Sequence, residues 1–256
     1  SGTVTPHHLR IYSLQGKIAQ GRLRGKITLP LKDIRRPTGE LQLQDAVLPG
    51  RVGKLNLSLL GKKGGSWRGL AEVIDLRAGG LALGDLAFAL AYDGQRASLR
   101  ALDWEEGLGI LSGEIGLDLR QGRTDGGLTA HIDQTGLAML AGDRVTGRAV
   151  VLLRPRGTLD SLAAQLKLSF QKLTLAGVPF GDGSLTAAIN GEGLGGVLTT
   201  RGNGEGRATI RLSKGFSHLS TRLSLTAFRV DTLPLGLPEL HGRADLSATL
   251  DGPLDL

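Results

Sequence analysis

Alternation of apolar and polar residues, two by two, runs through almost the whole of this 256-residue chain. In "GRLRGKITL", Leu23, Ile27 and Leu29 fall on one parity and Arg22, Arg24 and Lys26 on the other. "GELQLQ" sets Leu41 and Leu43 against Glu40, Gln42 and Gln44, and "GEIGLDL" supplies Ile115, Leu117 and Leu119. A period of two is the signature of a half-buried strand, one face apolar and the other wet. "SLAAQLKLSF" could be read as a helix from Leu162, Leu166 and Phe170, but Ala164 and Leu168 share their parity, so strand accounts for more positions. The one helix candidate is "TGLAMLAG", with Thr135 as its expected cap. A change of parity between Leu83 and Leu86 predicts a bulge or turn at Gly84.

This pattern predicts an all-β chain with on the order of twenty strands, more than the roughly ten that an open twisted sheet holds before it curls or splits. Each strand has an apolar face that must be covered, and there is almost no helix to cover it. A second sheet, the same sheet curled on itself, or an apolar ligand remain. The stretch "LTLAGVPFGDGSLTAAI", residues 173–189, poses the question in miniature. It reads as two strands reversing through Gly177, Pro179, Gly181 and Gly183, with Leu173, Leu175, Leu185 and Ile189 on the apolar side.

Composition narrows the classes. Glycine is abundant, 40 residues, without the three-residue period of collagen. Aromatic residues are 4%, too few for the girdles of a membrane β-barrel or for base-stacking platforms on single-stranded nucleic acid. The net charge of +7 suits anionic partners, but the charges are scattered, as on a solvated surface. No cysteine is present, so disulfide and thiolate chemistry are absent. No apolar run reaches the roughly 18 residues of a spanning helix. The chain opens "SGTVTPHH" and closes "ATLDGPLDL" in mid-pattern, as expected of a piece of a longer protein.

Motifs for catalysis are weak. "GEGLGG" at 191–196 spells a dinucleotide fingerprint, but strand and turn residues follow it instead of a helix. "GRLRGKIT" has the wrong glycine spacing for a phosphate loop, and "GGSWRG" lacks the final glycine of a nucleophile elbow. His7, His8, His131, His218 and His241 show no zinc-hydrolase spacing. Asp103, Glu105 and Glu106 in "DWEEG" are read as a solvated turn, with paired-carboxylate chemistry as the alternative. Lys62, Lys63, Arg35 and Arg36 are read as charged loop positions, with head-group contact as the alternative. The expectation is no enzyme, no cofactor and no metal.

Four phrases carry a family resemblance: "GTLD" at 157–160, echoed by "GPLDL" at 252–256, "LTLAGVPFGDGSL" at 173–185, "FRVDTLPL" at 228–235 and "LHGRADLSATLDGPLDL" at 240–256. They resemble the repeating β-groove proteins of bacterial envelopes, the AsmA-like superfamily, and most of all its TamB (translocation and assembly module) branch. The likeness covers roughly the C-terminal 110 residues in phrase and the rest in style. It implies a long, curled, mostly antiparallel sheet forming a U-shaped, taco-like groove with an apolar interior, running as one continuous segment with a possible subdivision into 1–150 and 151–256. It also implies a periplasmic protein anchored in the inner membrane. Phospholipid acyl chains would slide through the groove toward the outer membrane, and regions outside this segment would meet an outer-membrane barrel protein. No nucleic acid is expected. On that reading the groove lining includes Leu166, Leu168, Phe170, Leu173, Leu175, Leu185, Ile189, Ile210, Leu212, Leu223, Leu225 and Leu246. Two alternatives stay open: a chaperone-like module for outer-membrane protein assembly that pairs strands with a client, and a structural β-solenoid with a dry core.

Overall fold

The computed structural model describes residues 1–32, 36–48, 52–62, 64–78, 81–105, 107–158, 161–213, 217–232 and 241–253. Arg35, Lys63, Glu106 and the ends of the phrases at 157–160, 228–235 and 240–256 lie outside the described residues. The chain is all-β, and the seventeen strands among the described residues belong to one antiparallel sheet. Two compact units divide it, Ser1–Glu105 with Leu111–Gly126, and Glu106–Ile110 with Gly127–Leu256.

In the first unit the strands are β1 (Gly2–Val4), β2 (His8–Ile18), β3 (Gly21–Pro30), β4 (Thr38–Val47), β5 (Lys54–Gly61), β6 (Trp67–Ala78), β7 (Leu81–Tyr92), β8 (Arg96–Trp104) and β9 (Ile110–Asp118). The next strand, β10 (Arg123–Ile132), begins here. Each strand from β1 to β9 pairs with its neighbour in sequence. The second unit holds α1 (Gln134–Ala141), β11 (Val145–Thr158), β12 (Ser161–Leu175), β13 (Val178–Asn190), β14 (Gly193–Gly202), β15 (Gly204–Ser213), β16 (His218–Arg229) and β17 (Arg243–Pro253). From β11 to β17 the pairing again follows chain order.

Three local expectations are corrected or met here. The cap of α1 is Asp133, whose carboxylate accepts the Gly136 N–H, and not Thr135, which lies within the helix. An aspartate one turn-step earlier offers the stronger acceptor. The reversal in residues 173–189 is a two-residue turn, Ala176–Gly177, both at positive φ (50° and 84°), the pairing a tight hairpin needs. Pro179, Gly181 and Gly183 therefore lie inside β13. Gly84 does interrupt the ladder: it sits at φ 68°, opposite Leu76, where the register shifts.

Other bulges share that design. Asp45, Asp75, Lys172 and Ala227 hold positive φ without being glycine. Each lies next to a register shift, and each donates its N–H to a side-chain oxygen on the next strand: Asn56, Asp85, Asp182 and Asp245 respectively. Left-handed backbone is costly for a residue with a Cβ, and the captured N–H offsets part of that cost. These four bulges belong to β4, β6, β12 and β16 and lie near their C-terminal ends. Alternate strands run in the same direction, so within each unit these bulges line one edge of the sheet, while a further shift lies at Ile11/Leu14 of β2, away from that edge. Asp245→Ala is expected to lower the second unit's stability by about 1 kcal/mol. Asp245→Asn should restore most of it, as Asn56 serves the Asp45 bulge; urea midpoints check both.

Candidate functional site

Register converts the alternation into two chemically opposite faces. In the second unit one row runs Val151, Leu168, Leu185, Leu198, Ala208, Leu223 and Ala248 across consecutive strands. On either side lie the rows Leu153–Leu166–Ala187–Gly196–Ile210–Thr221–Leu250 and Ala149–Phe170–Gly183–Thr200–Gly206–Leu225–Leu246. A fourth passes through Ile189, Leu194, Leu212 and Leu219. The structure thus brings Leu166, Leu168, Phe170, Leu185, Ile189, Ile210, Leu212, Leu223, Leu225 and Leu246 together on one face. Leu173 and Leu175 lie beyond the Lys172 bulge, opposite Gly181 and Val178.

How far these side chains are covered separates them. Phe170 and Leu225 are buried, at 5% and 9% exposure, whereas Leu175 and Leu246 are exposed, at 48% and 41%. Leu166, Leu168, Leu173, Leu185, Ile189, Ile210, Leu212 and Leu223 are half-buried. The tight spots come from small residues: a Cβ on Gly183 would fall on the Phe170 ring, and one on Gly196 would meet the Ala187 side chain. A local core gathers at the bulged edge, where Val178, Leu225 and Phe228 are buried together with Phe180 and Leu223 against them.

The first unit has an equivalent face that the family phrases did not mark. Its rows include Leu23–Leu43–Leu57–Ala71–Phe88–Ala101, Gly25–Leu41–Leu59–Gly69–Leu90–Leu99–Ile115 and Ile27–Gly39–Gly61–Trp67–Tyr92–Ala97–Leu117. Both tryptophans of the chain, Trp67 and Trp104, belong to this face, Trp104 opposite Leu86 with its indole N–H donated to the Leu83 carbonyl.

Every described strand belongs to the one sheet, so no second sheet covers these faces. The chain exposes 16371 Å², against about 11,000 Å² for one globular domain of its mass and about 13,000 Å² for two equal ones. Among the described residues no large side chain is fully enclosed. An apolar sheet face half-open to solvent is what a packed sandwich lacks.

The opposite faces are polar. In the second unit they carry Val150, Ser169, Ser184, Thr199, Arg207, Ser224 and Ser247 in one row and Leu152, Lys167, Thr186, Val197, Thr209, Arg222 and Thr249 in the next. In the first unit Arg96 reaches over Gly116 to Asp125, with Nη1 2.7 Å from Oδ2, and a Cβ on Gly116 would fall on the guanidinium. The hydrogen bond from Arg96 holds the Asp125 carboxyl below its ordinary range; slight burial opposes this and the guanidinium charge assists. A depressed carboxylate stabilises the fold above its unfolded value, about pH 4, and that contribution is lost as pH falls through the folded value. Asp125→Asn should therefore flatten the pH dependence of the first unit's stability below about pH 4, measured as urea midpoints in acid and at neutrality.

Among the described residues the carboxylates of the acidic turn serve the backbone: Glu105 accepts the Asp85 N–H and Asp103 the Trp104 N–H. "GEGLGG" spans the turn from β13 into β14. Arg36 and Lys62 lie in strand connections. Among the described residues no group of three His, Asp or Glu side chains is placed to hold a metal, and no helix is long and apolar enough to cross a membrane. No known family, curated protein or solved structure matches the chain.

Proposed function

We propose that the apolar faces bind acyl chains and that the chain is a segment of a conduit for phospholipids. The observation that carries this reading is the single-layer sheet whose aliphatic rows are half-open along many consecutive strands. A bound hydrocarbon chain would cover them. Each methylene moved from water to such a surface is worth about 0.8 kcal/mol, so several strands can hold a chain without polar contacts. The rows are long, uniform and rich in Leu, Ile and Ala, which suits a flexible occupant that slides better than a ligand fixed in one pose. Half-open rows also favour this reading over a dry-cored solenoid, whose inward side chains should be enclosed. Following the resemblance, the working place is the bacterial envelope, between inner and outer membranes.

The tryptophans give a direct test. Phosphatidylcholine brominated on its acyl chains should quench Trp67 and Trp104 strongly, while the unbrominated lipid leaves their emission unchanged. Equal emission with both lipids would count decisively against acyl chains on the first unit's apolar face.

A further inference from the structure

We propose that the polar face of the second unit docks onto an anionic bilayer surface. Arg207 and Arg211 project from β15 on either side of Thr209, and Arg222 of β16 stands directly opposite Thr209. All three arginines are exposed. None has a carboxylate within ion-pair distance among the described residues. The two acids nearest in register are committed elsewhere. Glu205 faces Arg201 Nε at 3.8 Å, and Asp251 faces His218 Nε2 at 3.2 Å. Asp182 and Asp245 are held at the bulged edge by backbone N–H groups. The carboxylates therefore sit at the rim, and the middle of the face is a field of hydroxyls and uncompensated guanidinium groups around Val197.

Charge complementarity calls for an anionic occupant, and the shape of the field narrows it. It is a broad sheet surface with hydroxyls between the cations and no aromatic ring in its rows, so it offers nothing on which bases could stack. It has no helix to enter a major groove. A layer of phosphate head groups presents evenly spread negative charge, which a field of separated cations and hydroxyls can meet without a fixed pose. The inference stands apart from the acyl-chain reading, because it concerns the other face of the sheet.

The test is co-sedimentation with vesicles of phosphatidylcholine alone and of phosphatidylcholine with one third phosphatidylglycerol. The chain should prefer the anionic vesicles and lose that preference when salt rises from about 0.1 M to about 1 M, where the Debye length shrinks from about 10 Å to about 3 Å. Replacing Arg207, Arg211 and Arg222 together by Gln should reduce partition to anionic vesicles on the order of 100-fold, about fivefold per cation. Partition to neutral vesicles and the melting temperature should not change. The triple Lys variant should bind like the original, since a surface needs charge and not a guanidinium fork. The proposal is overturned if the Gln variant keeps its anionic preference or if the Lys variant loses it while folded. Tighter binding to duplex DNA or to polyglutamate than to the anionic vesicles would equally overturn it.

Discussion

Ile210→Lys is expected to strip lipid from the second unit, while Ala188→Lys leaves lipid occupancy as it was. Both substitutions add one positive charge, and both positions lie inside strands. Ile210 stands on the apolar face opposite Gly196, with room around it, whereas Ala188 is exposed on the polar face opposite Gln165. An ammonium held against hydrocarbon costs about 2–4 kcal/mol, or about 30- to 700-fold in affinity. Mass spectrometry of lipid carried through purification reads the difference, and circular dichroism with a melting curve shows that both variants remain folded. Equal lipid content in the two variants, or none in the original chain, would sink the acyl-chain proposal.

The largest loss of stability is expected from Phe228→Ala. Phe228 is only 3% exposed, its ring centroid 6.2 Å from that of Phe180, and it is packed with Val178 and Leu225. Truncating a buried phenylalanine costs about 3–5 kcal/mol. Leu250→Ala, on the same unit at 62% exposure, should cost less than about 0.5 kcal/mol. Denaturant unfolding followed by far-ultraviolet circular dichroism separates the two. Similar midpoints for both would mean that stability is spread evenly over the rows instead of gathered at the bulged edge.

Much of this organisation was legible in the alternation itself. Once strands such as "QLKLSF" and "GSLTAAI" are paired in sequence order, Leu168 must meet Leu185, and the faces assemble themselves. The bulges were harder to see, yet they leave a trace. Apolar residues step by three where they otherwise step by two, from Leu43 to Ala46, Val73 to Leu76, Phe170 to Leu173 and Leu225 to Phe228. Each three-step marks an extra residue that keeps the apolar face continuous. The turn at Ala176–Gly177 was displaced in the sequence reading because Pro179, Gly181 and Gly183 look equally able to reverse a chain. Only pairing shows that Gly181 and Gly183 make room for a bulge and for the Phe170 ring. The apolar face of the first unit was visible as alternation but not as a candidate site, since no family phrase fell on it. What covers these faces was never encoded in periodicity, because a leucine facing lipid and one facing protein obey the same spacing.

The pairing of strands with their sequence neighbours, from β1 to β9 and from β11 to β17, has a bearing on how such a chain changes length. A hairpin inserted between two strands disturbs only the pair it separates, so growth is local and stability accumulates nearly additively, as in repeat proteins. The unit of growth, however, is two strands and not one. The bulges at Asp45, Asp75, Lys172 and Ala227 sit on even-numbered strands and, within each unit, at one edge, and an odd insertion would throw each later one of them to the opposite edge. Lengthening or shortening should therefore be tolerated in steps of a hairpin, carrying one three-residue apolar step and one Asp or Asn to capture it.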